Sequence, residues 1–187
     1  MDDVARWRKE KRRELIALRV GTASQQRAIW SAQLTTRLHA VLDHLVPGIL
    51  GAYWPIQSEF DPRPLIDDFR LHGWQMALPV VVAKNEPLEY RTWSPGDVLE
   101  RGPFGIMEPR NGTLVLPDAL LVPCVGYDDG LFRLGNGGGF FDRTLPQLAS
   151  MPLAVGVAFT IGRLDTIYPQ PHDRPMDVIV TETGVLR

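Results

Sequence analysis

The sequence predicts an α/β protein with a mainly parallel central sheet that is covered on both faces. Short apolar runs, which are typical of buried strands, occur at 49–54, 76–82, 119–125, 153–159 and 178–181. Segments of helical length and pattern lie between two pairs of these runs, at 64–71 and 140–148. Alternating strands and helices favour parallel pairing, because a helical crossover returns the chain to the end of the sheet where the next parallel strand begins.

Composition indicates one domain over residues 1–187. The 187 residues are 44% hydrophobic, which suffices for a core without disulfides or metals. The net charge of −2 provides no global basic field for nucleic acid or an anionic membrane. Cys124 lies in an apolar run and is expected to be a buried thiol in a reducing compartment. Without a membrane-spanning or signal segment, we expect a cytoplasmic monomer.

Two amphipathic helices are predicted before the first strand. Residues 4–19 are rich in strong helix formers. The apolar face of this first helix is formed by Trp7, the stem of Lys11, Leu15 and Leu18. Thr22 and Gln25 have the spacing of a capping box at the start of a second helix, which is expected to extend towards Pro47.

Residues 84–117 are rich in glycine, proline and charge, and we expect them to form a long excursion over the sheet. The apolar run 88–93 predicts an edge strand within it. Interleaved Trp93, Phe104 and Ile106 favour an ordered segment, and ordered loops of this length are usually functional.

The segment RLGNGGGFFDR, residues 133–143, predicts a binding site for the phosphates of ATP. Glycines let backbone N–H groups approach a phosphate, and a helix start adds positive charge. Arg133 and Arg143 flank the glycines as cations, and Asp142 is suited to hold magnesium. A turn that uses glycine only for its backbone freedom is the alternative, but the flanking residues and the strand–loop–helix context favour phosphate binding.

Two common nucleotide-binding motifs do not match this loop. A dinucleotide fingerprint anchored at Gly135 and Gly137 needs glycine where Phe140 stands. A P-loop running from Gly130 to Gly135 needs lysine where Asn136 stands. The loop is therefore neither a Rossmann nor a Walker motif.

With its flanks, the loop resembles the signature of the 5-formyltetrahydrofolate cyclo-ligase family, also called 5,10-methenyltetrahydrofolate synthetases. The resemblance covers VPCVGYDDGLFRLGNGGGFFDR, Glu59 within PIQSEFD, TWSPGDVLERGPFGIMEP and PHDRPMDVIVTE. It implies a three-layer α/β/α fold. It also implies ATP- and Mg²⁺-dependent conversion of 5-formyltetrahydrofolate to 5,10-methenyltetrahydrofolate, with release of ADP and phosphate.

The resemblance also implies a set of site residues. Those that match the family's ATP loop are Arg133, Leu134, Gly135, Asn136, Gly137, Gly138, Gly139, Phe140 and Phe141. Arg133 is the expected catalytic residue, and the residues from Asn136 to Phe140 are also expected to face the folate. Asp142 matches a magnesium position. Gln170 stands where the family often has glutamate, so Asp173 is the remaining candidate for a second metal ligand.

Cations of the first helix are expected to reach the ATP phosphates as well. The family often has a lysine and an arginine four residues apart near the start of the chain. Arg8 with Arg12 has that separation, whereas Lys11 fits a register counted back from Arg19. Both registers remain open on the sequence.

Three residues are expected to bind the pterin ring. Glu59 follows a buried strand at its carboxyl end, where open α/β sheets place ligands, and it is able to accept hydrogen bonds from pterin N–H groups. Trp54 and Phe104 are expected to sandwich the ring, with plain core packing as the alternative.

The expected chemistry is phosphorylation of the formyl oxygen by ATP, followed by attack of N10. Such a reaction needs positioning and charge neutralisation more than a protein nucleophile. Two alternatives belong to other classes: a phosphosugar isomerase or CoA-transferase relative, and a non-catalytic nucleotide- or RNA-binding module that uses the basic helix.

Overall fold

A computed structural model describes residues 3–148 and 151–187. Within them the helices are α1 (Asp3–Gly21), α2 (Ser24–Leu42), α3 (Arg63–Leu71) and α4 (Phe140–Thr144). The strands are β1 (Ile49–Gly51), β2 (Gln75–Val81), β3 (Leu88–Thr92), β4 (Leu99–Arg101), β5 (Met107–Pro109), β6 (Leu114–Val115), β7 (Ala119–Pro123), β8 (Gly126–Tyr127), β9 (Arg133–Leu134), β10 (Leu153–Val157), β11 (Val178–Val180) and β12 (Val185–Leu186). Short 3₁₀ turns lie at Leu145–Gln147 and Thr160–Gly162.

The central sheet has the strand order β12-β11-β10-β7-β1-β2-β3-β6. Its middle strands β11, β10, β7, β1 and β2 are parallel, and antiparallel strands lie at both edges. The predicted mainly parallel sheet is therefore confirmed. The apolar run 49–54 is a strand only to Gly51, and its last residues, Tyr53 and Trp54, line a cavity.

Helices cover the two faces of the sheet, as predicted. Leu38 of α2 and Phe69 of α3 pack with Leu121 of β7 on one face. On the other face, Leu120 belongs to the cluster against which Leu145, in the turn after α4, packs. Neighbouring strand residues point to opposite faces, so a continuous apolar run supplies both cores.

The segment after the glycine loop was predicted as one helix over 140–148, and this is wrong in length. The α-helix ends at Thr144, and a 3₁₀ turn follows at Leu145–Gln147. Pro146 has no N–H to donate to the preceding helical turn, so the α-helix stops before it. With five residues, α4 adds little dipole, and any anion site here depends on the loop's own amides.

The buried face of α1 differs from the prediction. Leu15 is buried against the β8–β9 hairpin, but Leu18 is 53% exposed. Arg8 and Arg19 are instead 8% and 5% exposed. Their guanidinium groups find carbonyl and carboxylate acceptors in loops far along the chain, which offsets the cost of burying them.

The predicted capping box of α2 is wrong. Thr22 Oγ1 donates to the carbonyl oxygen of Leu18, and the N-cap residue Ala23 has no side-chain cap. Because α1 continues to Gly21, Thr22 serves the carboxyl end of α1.

The segment 84–117 is ordered. It contains β3, the β4–β5 hairpin and β6. The predicted strand at 88–93 is present as β3, but it is not the edge, since β6 pairs outside it. Among the described residues, none of the helices combines the length and apolar character needed to cross a membrane.

Candidate active site

A cavity of ≈ 930 Å³ lies at the carboxyl ends of the parallel strands. Trp54 lies just beyond β1, Val81 ends β2 and Pro123 ends β7, and all three line it. Open α/β sheets bind ligands in this position, because loops from several strands converge there. The cavity is therefore the candidate active site.

Most of the residues predicted for the site lie together in the cavity wall. They are Arg8, Arg12, Trp54, Glu59, Phe104, Arg133, Gly135, Asn136, Gly137, Gly138, Gly139, Phe140, Phe141, Asp142 and Asp173. Two predicted residues do not reach it. Lys11 pairs with Glu14 at the surface, and Leu134 is buried against Leu15 in the core. Of the two registers for α1, the structure thus turns Arg8 and Arg12 towards the cavity.

The glycine loop is held by its carbonyl groups. Arg12 Nε donates to Gly135 O at 2.8 Å, and Arg143 Nη2 donates to Gly138 O at 2.6 Å. Gly137 and Gly139 have φ of 96° and 64°. Within the described part of the chain, no amide from Gly135 to Gly139 donates to a protein acceptor. The loop thus offers a set of backbone donors, as anion-binding turns do.

The cavity arginines fall into two groups. Arg8 pairs with Asp173, and Arg133 pairs with Asp142 at 2.9 Å. Arg12 and Arg143, in contrast, form no ion pair with any described carboxylate. Burial, followed by the nearby charge of Arg8, lowers the pKa of the Arg12 guanidinium. Cations that gather without matching carboxylates are suited to bind a polyanion.

Glu59 lies in the cavity wall beside the glycine loop. Its side chain is 3% exposed, and it accepts hydrogen bonds from Ile56 N at 3.0 Å and Asn136 Nδ2 at 3.1 Å. Burial raises the pKa of Glu59, and the Ile56 amide, the Arg19 charge and the Asn136 amide oppose that shift. The contact with Asn136 joins the glycine loop to the wall that carries Glu59.

Aromatic side chains also line the cavity. Phe104 is 55% exposed and meets Phe140 edge to face, with 5.5 Å between ring centroids. Arg143 lies 5.2 Å from the centroid of Phe140. Trp54 lines the cavity beneath the guanidinium of Arg63, 4.7 Å from the ring centroid. The cavity is thus suited to a flat, partly apolar ligand beside an anionic one.

The chain matches the model of the 5-formyltetrahydrofolate cyclo-ligase family over residues 4–182. The chain belongs to this family. The 5-formyltetrahydrofolate cyclo-ligase of Mycolicibacterium smegmatis is 34% identical over 141 residues, which cover 70% of this chain and 71% of the relative. That of Haemophilus influenzae is 26% identical over 181 residues, covering 92% and 97% of the two chains.

Solved structures agree with this membership. The NMR structure of the 5,10-methenyltetrahydrofolate synthetase of Aquifex aeolicus has a TM-score of 0.83 and 30% identity, and covers 96% of this chain and 92% of its own. A synthetase from Mycoplasma pneumoniae, with 20% identity and a TM-score of 0.78, shares the fold. The predicted fold and the predicted enzyme class, a cyclo-ligase, are confirmed. The isomerase or CoA-transferase alternative is set aside.

The sequence-based prediction missed charged residues at this candidate site, among them Arg19 and Glu108. Arg19 lies behind Glu59, and it continues the face of α1 that carries Arg8 and Arg12 at helical spacing. Glu108 lines the cavity, is 7% exposed and accepts a hydrogen bond from Val81 N at 3.1 Å, which ties β5 to β2. Its position within GIMEP, beside Phe104, was the available signal for Glu108.

The carboxylates of the cavity fit a magnesium ion that is carried by a nucleotide. Asp142 accepts from Arg133 and, at 3.4 Å, from the backbone N–H of Arg174. Asp173 accepts from Arg8 and from Gln170 N. Within the described residues, no group of three acidic, histidine or cysteine side chains forms a complete metal cage. Mg²⁺ commonly binds through one or two carboxylates plus phosphate oxygens and water, which these two residues match.

A glycine pair tests the backbone conformation of the loop. Gly137→Ala is expected to lower the free energy of unfolding by about 1–3 kcal/mol, since its φ of 96° disfavours a side chain. Gly135→Ala is the matched control. Its φ is not positive, and an added Cβ meets no atom within 4 Å, so a change within about 0.5 kcal/mol is expected. Urea unfolding measures both, and equal losses would refute the assigned loop conformation.

Proposed function

We propose that this cyclo-ligase converts 5-formyltetrahydrofolate to 5,10-methenyltetrahydrofolate and consumes ATP, with release of ADP and phosphate. One observation carries the proposal. The cavity is lined by free backbone amides and unpaired arginines, which suit phosphates, and by the buried carboxylate of Glu59, which suits pterin N–H groups. Asn136 of the glycine loop connects these two parts, since its Nδ2 lies 3.1 Å from Glu59. The two substrates would therefore lie side by side.

ATP binds in this proposal along the glycine loop. The amides from Gly135 to Gly139 donate to phosphate oxygens, and Arg12 and Arg143 supply charge on either side. Arg8 and Arg133 add cations that are balanced by Asp173 and Asp142 before the nucleotide arrives. A site that is already charged and ordered loses little free energy in reorganising around the triphosphate.

Folate binds against Glu59. A carboxylate accepts but does not donate, so it pairs with the N–H groups of the pterin. Trp54 and Phe104 flank the cavity as apolar surfaces for the ring. In this proposal the formyl group faces the glycine loop, because Asn136 of that loop contacts Glu59.

The reaction then proceeds in two steps. The formyl oxygen attacks the γ-phosphorus, the bond to the ADP oxygen breaks, and the formyl carbon becomes electrophilic. N10 attacks that carbon and loses its proton, and the carbon–oxygen bond breaks to release phosphate. Arg133 stabilises the negative charge on the transferring phosphoryl group, as cations do in other phosphoryl transfers.

Asp142 and Asp173 would hold a magnesium ion, which neutralises phosphate charge when bound. Asp142 already lies beside Arg133, so its carboxylate orients that guanidinium as well.

We propose further that the protein is a cytoplasmic monomer and that its binding partners are its small-molecule substrates. An RNA-binding role for α1 is disfavoured, because Arg8 and Arg19 are buried and Arg6 and Lys11 form ion pairs.

The absorbance of the methenyl product tests the proposal. Mixing the protein with 5-formyltetrahydrofolate and MgATP is expected to produce strong near-ultraviolet absorbance. Leaving out ATP, or replacing the folate by 5-methyltetrahydrofolate, which has a methyl group on N5 and therefore no formyl oxygen to phosphorylate, is expected to give none. A protein at high concentration that yields no ATP-dependent absorbance would disprove the proposed reaction.

A further inference from the structure

A buried arginine at the end of α1 lies directly behind Glu59. The side chains of Arg19 and Glu59 are 6% and 3% exposed, with 3.6 Å between Arg19 Nη2 and Glu59 Oε1. Glu59 lines the cavity, whereas Arg19 is outside its wall. A ligand in the cavity would therefore meet Glu59 and not Arg19.

Arg19 also binds the backbone of the turn that carries Glu59. Its Nε donates to Gln57 O at 3.0 Å, and its Nη1 lies 3.5 Å from Cys124 O at the end of β7. Gln57 and Ser58 have φ of 47° and 60°, in the left-handed region that disfavours residues with side chains. Such a turn persists only where its surroundings hold it, and the bond from Arg19 to Gln57 does so.

One nitrogen of Arg19 remains without a hydrogen bond. Among the described residues, Nη2 is buried and has no hydrogen-bond partner, and the nearest carboxylate oxygen is that of Glu59. Burying an ionised arginine in this way is costly unless a negative charge lies beside it. Glu59 is that charge, so the two residues support each other's ionised forms.

We propose that Arg19 is a positioning residue for folate: it holds the turn at Gln57 and Ser58 and pairs with Glu59, so that the carboxylate faces the cavity as an acceptor. This inference rests on the proposed function, in which Glu59 binds the pterin. Arg19 acts through Glu59 and touches neither substrate.

Other ionisable groups near Glu59 do not replace Arg19. Burial raises the pKa of Tyr53 well above its ordinary value and that of Cys124 to about 12, so both are neutral near pH 7. Asp61 lies near Tyr53 and carries the same sign as Glu59. Burial raises the pKa of Glu59, and Arg19 opposes the shift. Removing Arg19 should therefore raise the pKa of Glu59 further.

Two substitutions separate the charge of Arg19 from its geometry. Arg19→Gln removes the charge, and Arg19→Lys keeps it but cannot reach both carbonyl groups. Arg13 is an exposed arginine of the same helix, and Arg13→Gln is the matched control. For each variant, circular dichroism checks folding, carbon-13 NMR titrates the Glu59 carboxyl, and calorimetry measures affinity for 5-formyltetrahydrofolate and for MgATP across pH.

In Arg19→Gln the Glu59 titration is expected to move to higher pH, and folate affinity to fall roughly tenfold or more at neutral pH. Because protonated Glu59 cannot accept as a carboxylate, the pH below which folate binding is lost should rise together with the pKa of Glu59. MgATP affinity should stay within about twofold, since other residues form that subsite. Arg19→Lys should keep the titration near that of the wild type but still bind folate more weakly.

An unchanged Glu59 titration in Arg19→Gln would overturn the inference whatever the enzyme's activity, and so would equal losses for folate and MgATP. If the titration moves but the wild-type protein makes no methenyl product, the proposed function fails while the pairing stands. If Arg19→Gln does not fold, Arg19→Lys decides: folate affinity equal to that of the wild type would overturn the assignment.

Discussion

Replacing Arg133 by alanine is expected to lower the turnover rate by roughly 10³-fold or more while the protein remains folded. The Arg133 side chain is 3% exposed and donates to Asp142 Oδ1 at 2.9 Å and to Arg174 O at 3.0 Å. These two bonds hold the guanidinium in the cavity wall next to the glycine loop. Without it, charge that develops on the transferring phosphoryl group loses a preorganised cation. Single-turnover absorbance measurements with saturating MgATP give the rate.

Two variants control this experiment. Arg133→Lys keeps a positive charge but not the fork of donors, and an intermediate rate is expected. Arg163→Ala removes an arginine of an exposed ion pair with Asp129, and its rate should match that of the wild type. Arg133→Ala leaves Asp142 without its partner, so thermal unfolding must accompany the kinetics. A folded Arg133→Ala protein with the wild-type rate would exclude this loop as the catalytic site.

Asp142→Asn is expected to reduce turnover at least about 100-fold and to raise the Mg²⁺ concentration needed for half-maximal rate. Asparagine has nearly the same shape and is still able to accept from Arg133 and from the Arg174 amide, so the local structure should persist. Its neutral oxygen is a weaker ligand for Mg²⁺ than a carboxylate. Initial rates over a series of magnesium concentrations at fixed ATP measure the effect.

The exposed partner of Arg163 provides the control for this change. Asp129→Asn removes one carboxylate of an ion pair outside the cavity, so its magnesium dependence should equal that of the wild type. If Asp142→Asn also keeps the wild-type magnesium dependence, Asp142 is not a metal ligand. Asp173, whose carboxylate accepts from Arg8, would then be the next candidate to test.

The buried parallel strands and the glycine loop were predictable because their signals are local, whereas the short strands β4, β5, β6, β8, β9 and β12 were not predicted. A run such as 119–125 is apolar throughout, and its length and the turn residues after it favour a strand buried on both faces over a buried helix. Glycine at 137 and 139 permits positive φ irrespective of what lies nearby, and both adopt it. The family resemblance also depended on letters that are consecutive in the chain.

Local signals failed where a competing partner lies elsewhere in the fold. Thr22 and Gln25 have the letters of a capping box, but the first helix extends far enough for Thr22 to bind the Leu18 carbonyl. The apolar run at 88–93 suggested an edge strand, but β6 comes from more than twenty residues later and covers it. Neither outcome depends on the residues within the pattern itself.

Residue types and backbone propensities along the chain therefore determine the buried parallel strands and the conformation of the glycine loop. Tertiary contacts decide which distant side chains contact the glycine loop. Arg12 reaches Gly135 across 123 residues and Asn136 reaches Glu59 across 77, whereas Lys11 beside Arg12 faces Glu14 at the surface. Adjacent helical positions point about 100° apart, so the packing of α1 on the β8–β9 hairpin selects Arg8 and Arg19 for burial and turns Arg12 towards the cavity.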